Sequence, residues 1–295
     1  MRKLNLFLLF FVACSVILYP QTIKETNNRI VASLIISNFI DGQLPFDFLP
    51  EIQKVKAEKI KAVEKIRGNE YTVKPSKVPE KGISFIEKRY VAEFDNNGNI
   101  SKFSSGEYRY GGLVFEFLFD YAKNGNISGA KLLVKDTLGN VNISTTYEFK
   151  FEGDLVKEAK KTENLIQVEH TSFKFKYRTN GSIESVYADS RTESLYDFDE
   201  QGRTLKYNAA IGKTYSYDKS GKLAKVAVNG EYGEKWESAY NYDKSGNLTS
   251  IKTTGDNTEE MKYTLGKNGL PLSASFMFDS QGELWGLNYE FKYKK

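Results

Sequence analysis

One histidine, His170, and one cysteine, Cys14, are all that this 295-residue chain offers for imidazole catalysis, thiol chemistry or soft-metal ligation. A structural zinc site needs about four cysteine or histidine ligands, so none can be assembled. His170 stands in the strand-like run 168–177 (VEHTSFKFKY) with no Gly-x-Ser-x-Gly elbow beside it, which leaves a Ser-His-Asp triad without a nucleophile. Six aspartates, Asp95, Asp120, Asp199, Asp218, Asp243 and Asp279, recur at similar places along the chain and invite a calcium reading. None has the D-x-D-x-D-G spacing that converges several oxygens on one ion, and each is expected to be committed to a turn. Acid–base work would therefore fall to a pair of carboxylates brought together by the fold, the arrangement that hydrolyses glycosidic bonds. Nothing singles such a pair out. The sequence indicates no catalytic residue, no metal ligand set and no cofactor. Binding chemistry is better represented: Trp236 (in GEKWESAY) and Trp285 (in GELWGLNY) are candidates for exposed rings that stack on a sugar or peptide.

The elements that would position these residues are announced by a repeat. The phrase YSYDKSGKL at 215–223 returns as YNYDKSGNL at 240–248, and weaker copies begin at Phe94, Phe117, Tyr147, Phe175, Tyr196, Met261 and Phe276. Each copy holds an aromatic pair two residues apart, a polar turn, a glycine and then an aliphatic residue. Alternation of Tyr240 and Tyr242 with polar neighbours suits a strand with one buried face. Asp243-Lys244-Ser245-Gly246 suits a type I turn followed by glycine in the left-handed region. In that geometry Asp243 pairs with Asn247, and Tyr242 lies beside Leu248. Ile251, an odd number of residues beyond Leu248, then faces the other side of the sheet unless a bulge intervenes.

These hairpins resemble YD repeats, the units of the Rhs family of bacterial surface and toxin-delivery proteins, over roughly two thirds of the chain. The phrases YSYDKSGKL, YNYDKSGNL and YDFDEQGRTL carry the resemblance. Family repeats recur near every twenty residues. Here Gly181, Gly202, Gly221, Gly246 and Gly269 are separated by 21, 19, 25 and 23 residues. The resemblance implies an envelope or secretion setting. The chain departs from the family in length, and no toxin segment or autocleavage core is seen.

Arg2 and Lys3 followed by the apolar run 4–19 read as a secretory signal over residues 1–20. Cys14 in Phe-Val-Ala-Cys is a candidate lipidation site that would anchor the chain to a membrane, and ordinary cleavage beyond Cys14 is the alternative. Basic residues number 42 against 38 acidic; without Arg2 and Lys3 the excess falls from four to two, with the signs interspersed. That is no footprint for nucleic acid.

Between the signal and the repeats, residues 23–80 read as a small helical element. Apolar residues Ile52, Val55, Ile60, Ala62, Val63 and Ile66 fall on one face of a helix over 50–67. A second helix is expected near 28–40, closed by Asp41-Gly42. Residues 81–295 form the repeat β-domain. The expected fold is all-β: an antiparallel meander of repeated hairpins, curved or rolled, with an N-terminal helical element. A transmembrane barrel is disfavoured because charged runs such as 157–161 (KEAKK) interrupt the bands a bilayer needs. The expected function is that of an exported envelope protein, a non-catalytic scaffold or binding surface whose partner is another envelope protein or a glycan. The alternatives are an enzyme acting on envelope polysaccharide through a carboxylate pair, and a relative of an Rhs-type secretion shell.

Overall fold

The computed structural model describes residues 22–39, 49–72, 88–107, 113–136, 138–162, 170–230, 233–255, 258–280 and 283–295. The signal-like run, Cys14 and Asp41-Gly42 lie outside them. Two helices, α1 (Ile23–Ser37) and α2 (Ile52–Ala57), precede the first strand β1 (Ala62–Thr72). The next eight strands are β2 (Lys88–Phe94), β3 (Ile100–Glu107), β4 (Val114–Tyr121), β5 (Ile127–Lys135), β6 (Val141–Glu152), β7 (Leu155–Lys161), β8 (Ser172–Tyr177) and β9 (Ile183–Ala188). Then come β10 (Tyr196–Phe198), β11 (Thr204–Tyr207), β12 (Gly212–Tyr217), β13 (Leu223–Asn229) and β14 (Lys235–Tyr242). The chain finishes with β15 (Leu248–Thr254), β16 (Glu259–Leu265), β17 (Pro271–Ser280) and β18 (Glu283–Lys294).

Every strand pairs antiparallel with its sequence neighbours, and β1 pairs with both β2 and β18. The meander is thus a closed barrel of 18 strands, where the sequence indicated only a curved or rolled sheet. Closure removes both edges that an open meander would leave unpaired.

Closure also explains why the helix predicted over 50–67 is realised only as Ile52–Ala57. Lys59 adopts a φ of 52°, and the chain enters β1 at Ala62. Two flanking ladders outweigh a local helical period. Residues of the expected helical element therefore supply the strand that shuts the barrel.

The hairpin chemistry is as the repeat indicates. The Asp243 amide donates to the Asn247 carbonyl at 2.9 Å, the Gly246 amide donates back to Asp243, and Gly246 has a φ of 78°. Beyond the turn, Asn241 faces Ser250 while Tyr242 faces Leu248, so one extra residue bulges out. The bulge turns Leu248 and Ile251 to the same face, which settles the parity conflict between them. The same shift separates Leu223 from Val226 and recurs in the hairpins after Phe94, Tyr121, Phe151, Tyr177 and Phe198. Three copies depart from the pattern. In the copy starting at Tyr147 a two-residue turn leaves Glu152 opposite Leu155. The turn after β4 is built on Ala122 and Gly125, so Asp120 sits in the strand opposite Gly129. In the copy starting at Phe276, Ser280 pairs with Glu283, and residues 281–282 between them lie outside the described residues.

Apolar side chains point into the barrel and most charged ones point out; Lys65 and Lys161 are buried exceptions on the inward face, two residues from Val63 and Ala159. In β8, Phe173 and Phe175 are buried while Lys174 and Lys176 are exposed. In β6, Tyr147 is buried between exposed Thr146 and Glu148. A bilayer-spanning barrel has the opposite polarity. Barrels of about sixteen to eighteen strands are too wide for their own side chains to fill. Here α1 occupies the lumen. A Thr22/Glu25 capping box starts it, and it is buried almost all round from Asn27 to Ile36. Leu34, Ile35 and Ile36 join one core with Ile100, Phe103, Phe117, Ile127, Leu132, Phe173 and Ile183.

Three asparagines fasten the helix to the barrel backbone. Asn27 donates to the Gly181 carbonyl at 2.8 Å and accepts from the Ile183 amide. Asn28 does the same with Gly125 and Ile127, at 2.9 and 3.0 Å. At the opposite end Asn38 donates to the His170 carbonyl and accepts from its amide, at 2.6 and 2.9 Å. The helix thus runs from the glycine-turn end of the barrel to the other end, about 22 Å at 1.5 Å per residue.

Candidate functional site

Helix α1 does not fill the lumen evenly. Inward residues of β3 to β9 are sealed against it, but no residue of β14, β15 or β16 is fully buried. On that side lies a cavity of about 680 Å³ that opens among the glycine turns. This is the size of a small-molecule site.

Its walls follow from the repeat. Tyr217, Tyr240, Tyr242, Tyr263 and Tyr293 line it, together with Leu223, Leu248, Leu265 and Leu270. These are the aromatic pairs and post-turn aliphatics that the bulges rotate inward. The Tyr242 hydroxyl donates to the Leu223 carbonyl and the Tyr217 hydroxyl to the Thr204 carbonyl, both at 2.8 Å. Their polar ends are therefore occupied.

Basic side chains ring the cavity. Arg203 and Lys222 come from the position just after a turn glycine, and each lies over the next repeat. The Arg203 guanidinium is 4.6 Å from the Tyr217 ring centre, and the Lys222 ammonium 5.2 Å from that of Tyr242. The same two side chains rest against Gly221 and Gly246, where a Cβ would overlap them. The glycines thus serve the turn and also leave room for these cations. Lys222 donates to the Gly246 carbonyl, Arg203 pairs with Asp199 at 2.6 Å, and Lys54 of α2 reaches the Asn247 side chain at 3.3 Å.

Arg29 of α1 completes the set from inside. Its guanidinium donates to the Pro50 and Gly98 carbonyls, both at 3.3 Å, and lies 5.4 Å from the Phe94 ring centre. Its Nε is buried without a hydrogen-bond partner, and among the described residues no carboxylate lies within ion-pair distance. Burial lowers the Arg29 pKa to about 10, which leaves it cationic at neutral pH. Burial also lowers Lys54, against the pull of Glu51. The phenols shift the other way: burial pushes Tyr242 up to about 12 and raises Tyr217 and Tyr293. Neutral phenols and cations favour an anion in the cavity, and Glu51 is the one carboxylate among its described lining residues.

The residues singled out in the sequence lie elsewhere. Trp236 pairs with buried Val228 and packs half-buried against the core. Trp285 faces Phe278 across the β17–β18 ladder, also half-buried, two residues from buried Leu287. Both lie toward the end of the barrel opposite the glycine turns. His170 donates from Nδ1 to Asp189 Oδ2 at 3.2 Å and meets Phe173 edge-on. Burial works against the Asp189 charge, but bonds from Thr171 and Ser172 outweigh it and hold the carboxyl below its usual range. This cluster anchors the end of α1 through Asn38 and has no cavity described beside it. The turn aspartates are engaged as expected: Asp95, Asp199 and Asp218 each accept two backbone amides, and Asp243 accepts from Asn247. Asp279's side chain is outside the described residues. Among the described residues, no three His, Cys, Asp or Glu side chains converge as a metal site would require.

Sequence reading missed Arg29 and the cation ring. The one available signal was the polar triplet Asn27-Asn28-Arg29 at the head of an otherwise apolar helix.

No protein-family model and no curated protein matches the sequence. Among solved structures, a porin-like protein from Bacteroides uniformis superposes with a TM-score of 0.41 at 11% identity, covering 80% of this chain and 98% of that one. The Photorhabdus luminescens Tc holotoxin pore gives 0.32 at 11% identity, covering 68% of this chain and 12% of that chain. TcdB2-TccC3-TEV gives 0.31 at 11% identity, covering 70% and 13%.

Proposed function

We propose that the chain is an exported bacterial envelope protein that works without catalysis, as a water-facing barrel that binds a partner or ligand. The tyrosine-lined cavity with its ring of cations carries this reading, because its groups hold a ligand and do not transform one. Glu51 is the one carboxylate among its described lining residues, where glycoside hydrolysis requires two. Export is supported by the basic start and apolar run at residues 2–19. The charged outer wall supports a barrel that stands in an aqueous compartment, with Cys14 lipidation as its means of attachment.

The test is an assay on purified peptidoglycan and other envelope polysaccharides with the recombinant protein. No release of soluble fragments is expected. Fragment release that disappears in Glu51→Gln, with the fold intact by circular dichroism, would make the protein an enzyme.

A further inference from the structure

A half-buried guanidinium whose Nε is out of contact with water, with no carboxylate beside it among the described residues, calls for a counter-charge. Removing a cation from water costs several kcal/mol unless an anion and further hydrogen bonds compensate it. Arg29 has only two long bonds to carbonyls, and its Nε stays unpartnered within the wall of the cavity. Lys54 and Lys222 stand at the same cavity and bond to an amide oxygen and a carbonyl, not to acids. Glu51 is the one carboxylate among the described lining residues against Arg29, Lys54 and Lys222, so further negative charge is expected from a bound ligand.

The rest of the wall describes what the anion is attached to. Leu223, Leu248, Leu265 and Leu270 are aliphatic. Tyr217 and Tyr242 spend their hydroxyls on backbone carbonyls, so their rings meet the cavity as apolar surface. A sugar would need several planar polar partners beside such rings; of those at the cavity, Arg203 pairs with Asp199, Gln201 accepts from Arg203 and Asn247 bonds to Asp243, which leaves Glu51. A flexible apolar chain needs none.

We propose that the lumen cavity binds a single-chain anionic amphiphile, its acyl body against the tyrosines and leucines and its carboxylate or phosphate head against Arg29, Lys54 and Lys222. This rests on the non-catalytic binding reading and names the ligand class for it. A charge-assisted contact to a guanidinium in a desolvated wall favours an anionic head over a neutral one of equal chain length.

The experiment compares myristate with tetradecanol, and with inorganic phosphate alone, by titration calorimetry on the delipidated protein. Myristate is expected to bind one to one and at least about tenfold more tightly than tetradecanol, and phosphate alone is expected to bind weakly. Arg29→Met should bind both chains alike, with a melting temperature no lower than that of the ligand-free wild type, because an uncompensated charge has been removed. Equal binding of myristate and tetradecanol by the wild type, or binding of neither, overturns the proposal. So does phosphate binding as tight as myristate, which would show an anion site without a chain pocket. The wild-type comparison decides even if Arg29→Met does not fold. Failure here leaves the non-catalytic reading standing, whereas fragment release in the polysaccharide assay would remove that reading itself.

Discussion

The second aromatic of each repeat pair has a job that the first does not. Tyr121, Tyr177, Tyr217 and Tyr242 donate their hydroxyls to the carbonyls of Ile100, Val156, Thr204 and Leu223, at 2.8, 2.7, 2.8 and 2.8 Å. Each acceptor lies in the preceding hairpin, so the phenol ties successive repeats together. Phenylalanine stands at the same register position at Phe94, Phe151 and Phe198, without a hydroxyl to donate. Removing one hydroxyl costs a net hydrogen bond, about 0.5–1.5 kcal/mol, and more if the carbonyl is left dry. Tyr177→Phe should accordingly lose about 1 kcal/mol in urea denaturation without a change in m-value. A variant as stable as the wild type would show that the hydroxyl is idle and that the recurring tyrosine is a packing choice.

At the scale of elements, the lumen helix depends on amide clamps that work as short pieces of β-ladder. Asn28 satisfies the Gly125 carbonyl and the Ile127 amide at once. Asn28→Leu keeps the volume but orphans both backbone groups in the core, at roughly 1–3 kcal/mol each. The variant should lose about 2–4 kcal/mol, whereas outward-facing Lys131→Ala should stay within about 0.5 kcal/mol of neutral. Similar small losses at the two positions, measured by thermal unfolding, would detach the clamp from stability. Much of the barrel was legible because its information is local: Asp243, Gly246 and the Tyr240/Tyr242 alternation specify a hairpin within nine residues. The bulge was foreshadowed by the mismatched parity of Leu248 and Ile251. What stayed hidden was long-range. The 62–67 segment has a helical period and becomes a strand because β2 and β18 leave it a slot. The cation ring is assembled from a helix near the N-terminus and turns some two hundred residues later, a juxtaposition that spacing along the chain does not express. The tryptophans drew notice by standing out of register, and the bulges and closure turned their neighbours' faces inward.

The whole molecule is a ring closed where its ends meet: Ala62 pairs with Lys294. Closing it buries phenols together with the aliphatic core, which couples global stability to alkaline pH. Burial raises the pKa values of Tyr121, Tyr147, Tyr177, Tyr215, Tyr217 and Tyr293, and pushes Tyr242 up to about 12. In the unfolded chain these groups titrate near the ordinary phenol value of about 10. Below that pH both states are protonated and the phenols add no pH dependence. Above it the unfolded chain releases protons that the barrel retains, so stability falls as pH rises, with a limiting slope of about 1.4 kcal/mol per pH unit for each fully buried phenol. Arg29 acts with the opposite sign, since burial brings its folded value down to about 10, below the ordinary guanidinium range, and its burial cost is relieved as it discharges. One guanidinium does not offset seven phenols. The melting temperature should therefore show no tyrosine-linked change up to about pH 10 and then drop steeply, with phenolate absorbance rising together with the loss of far-ultraviolet ellipticity. Complete phenol titration near the ordinary phenol value of about 10 in a barrel that keeps its ellipticity would mean that the tyrosine-lined interior is open to water.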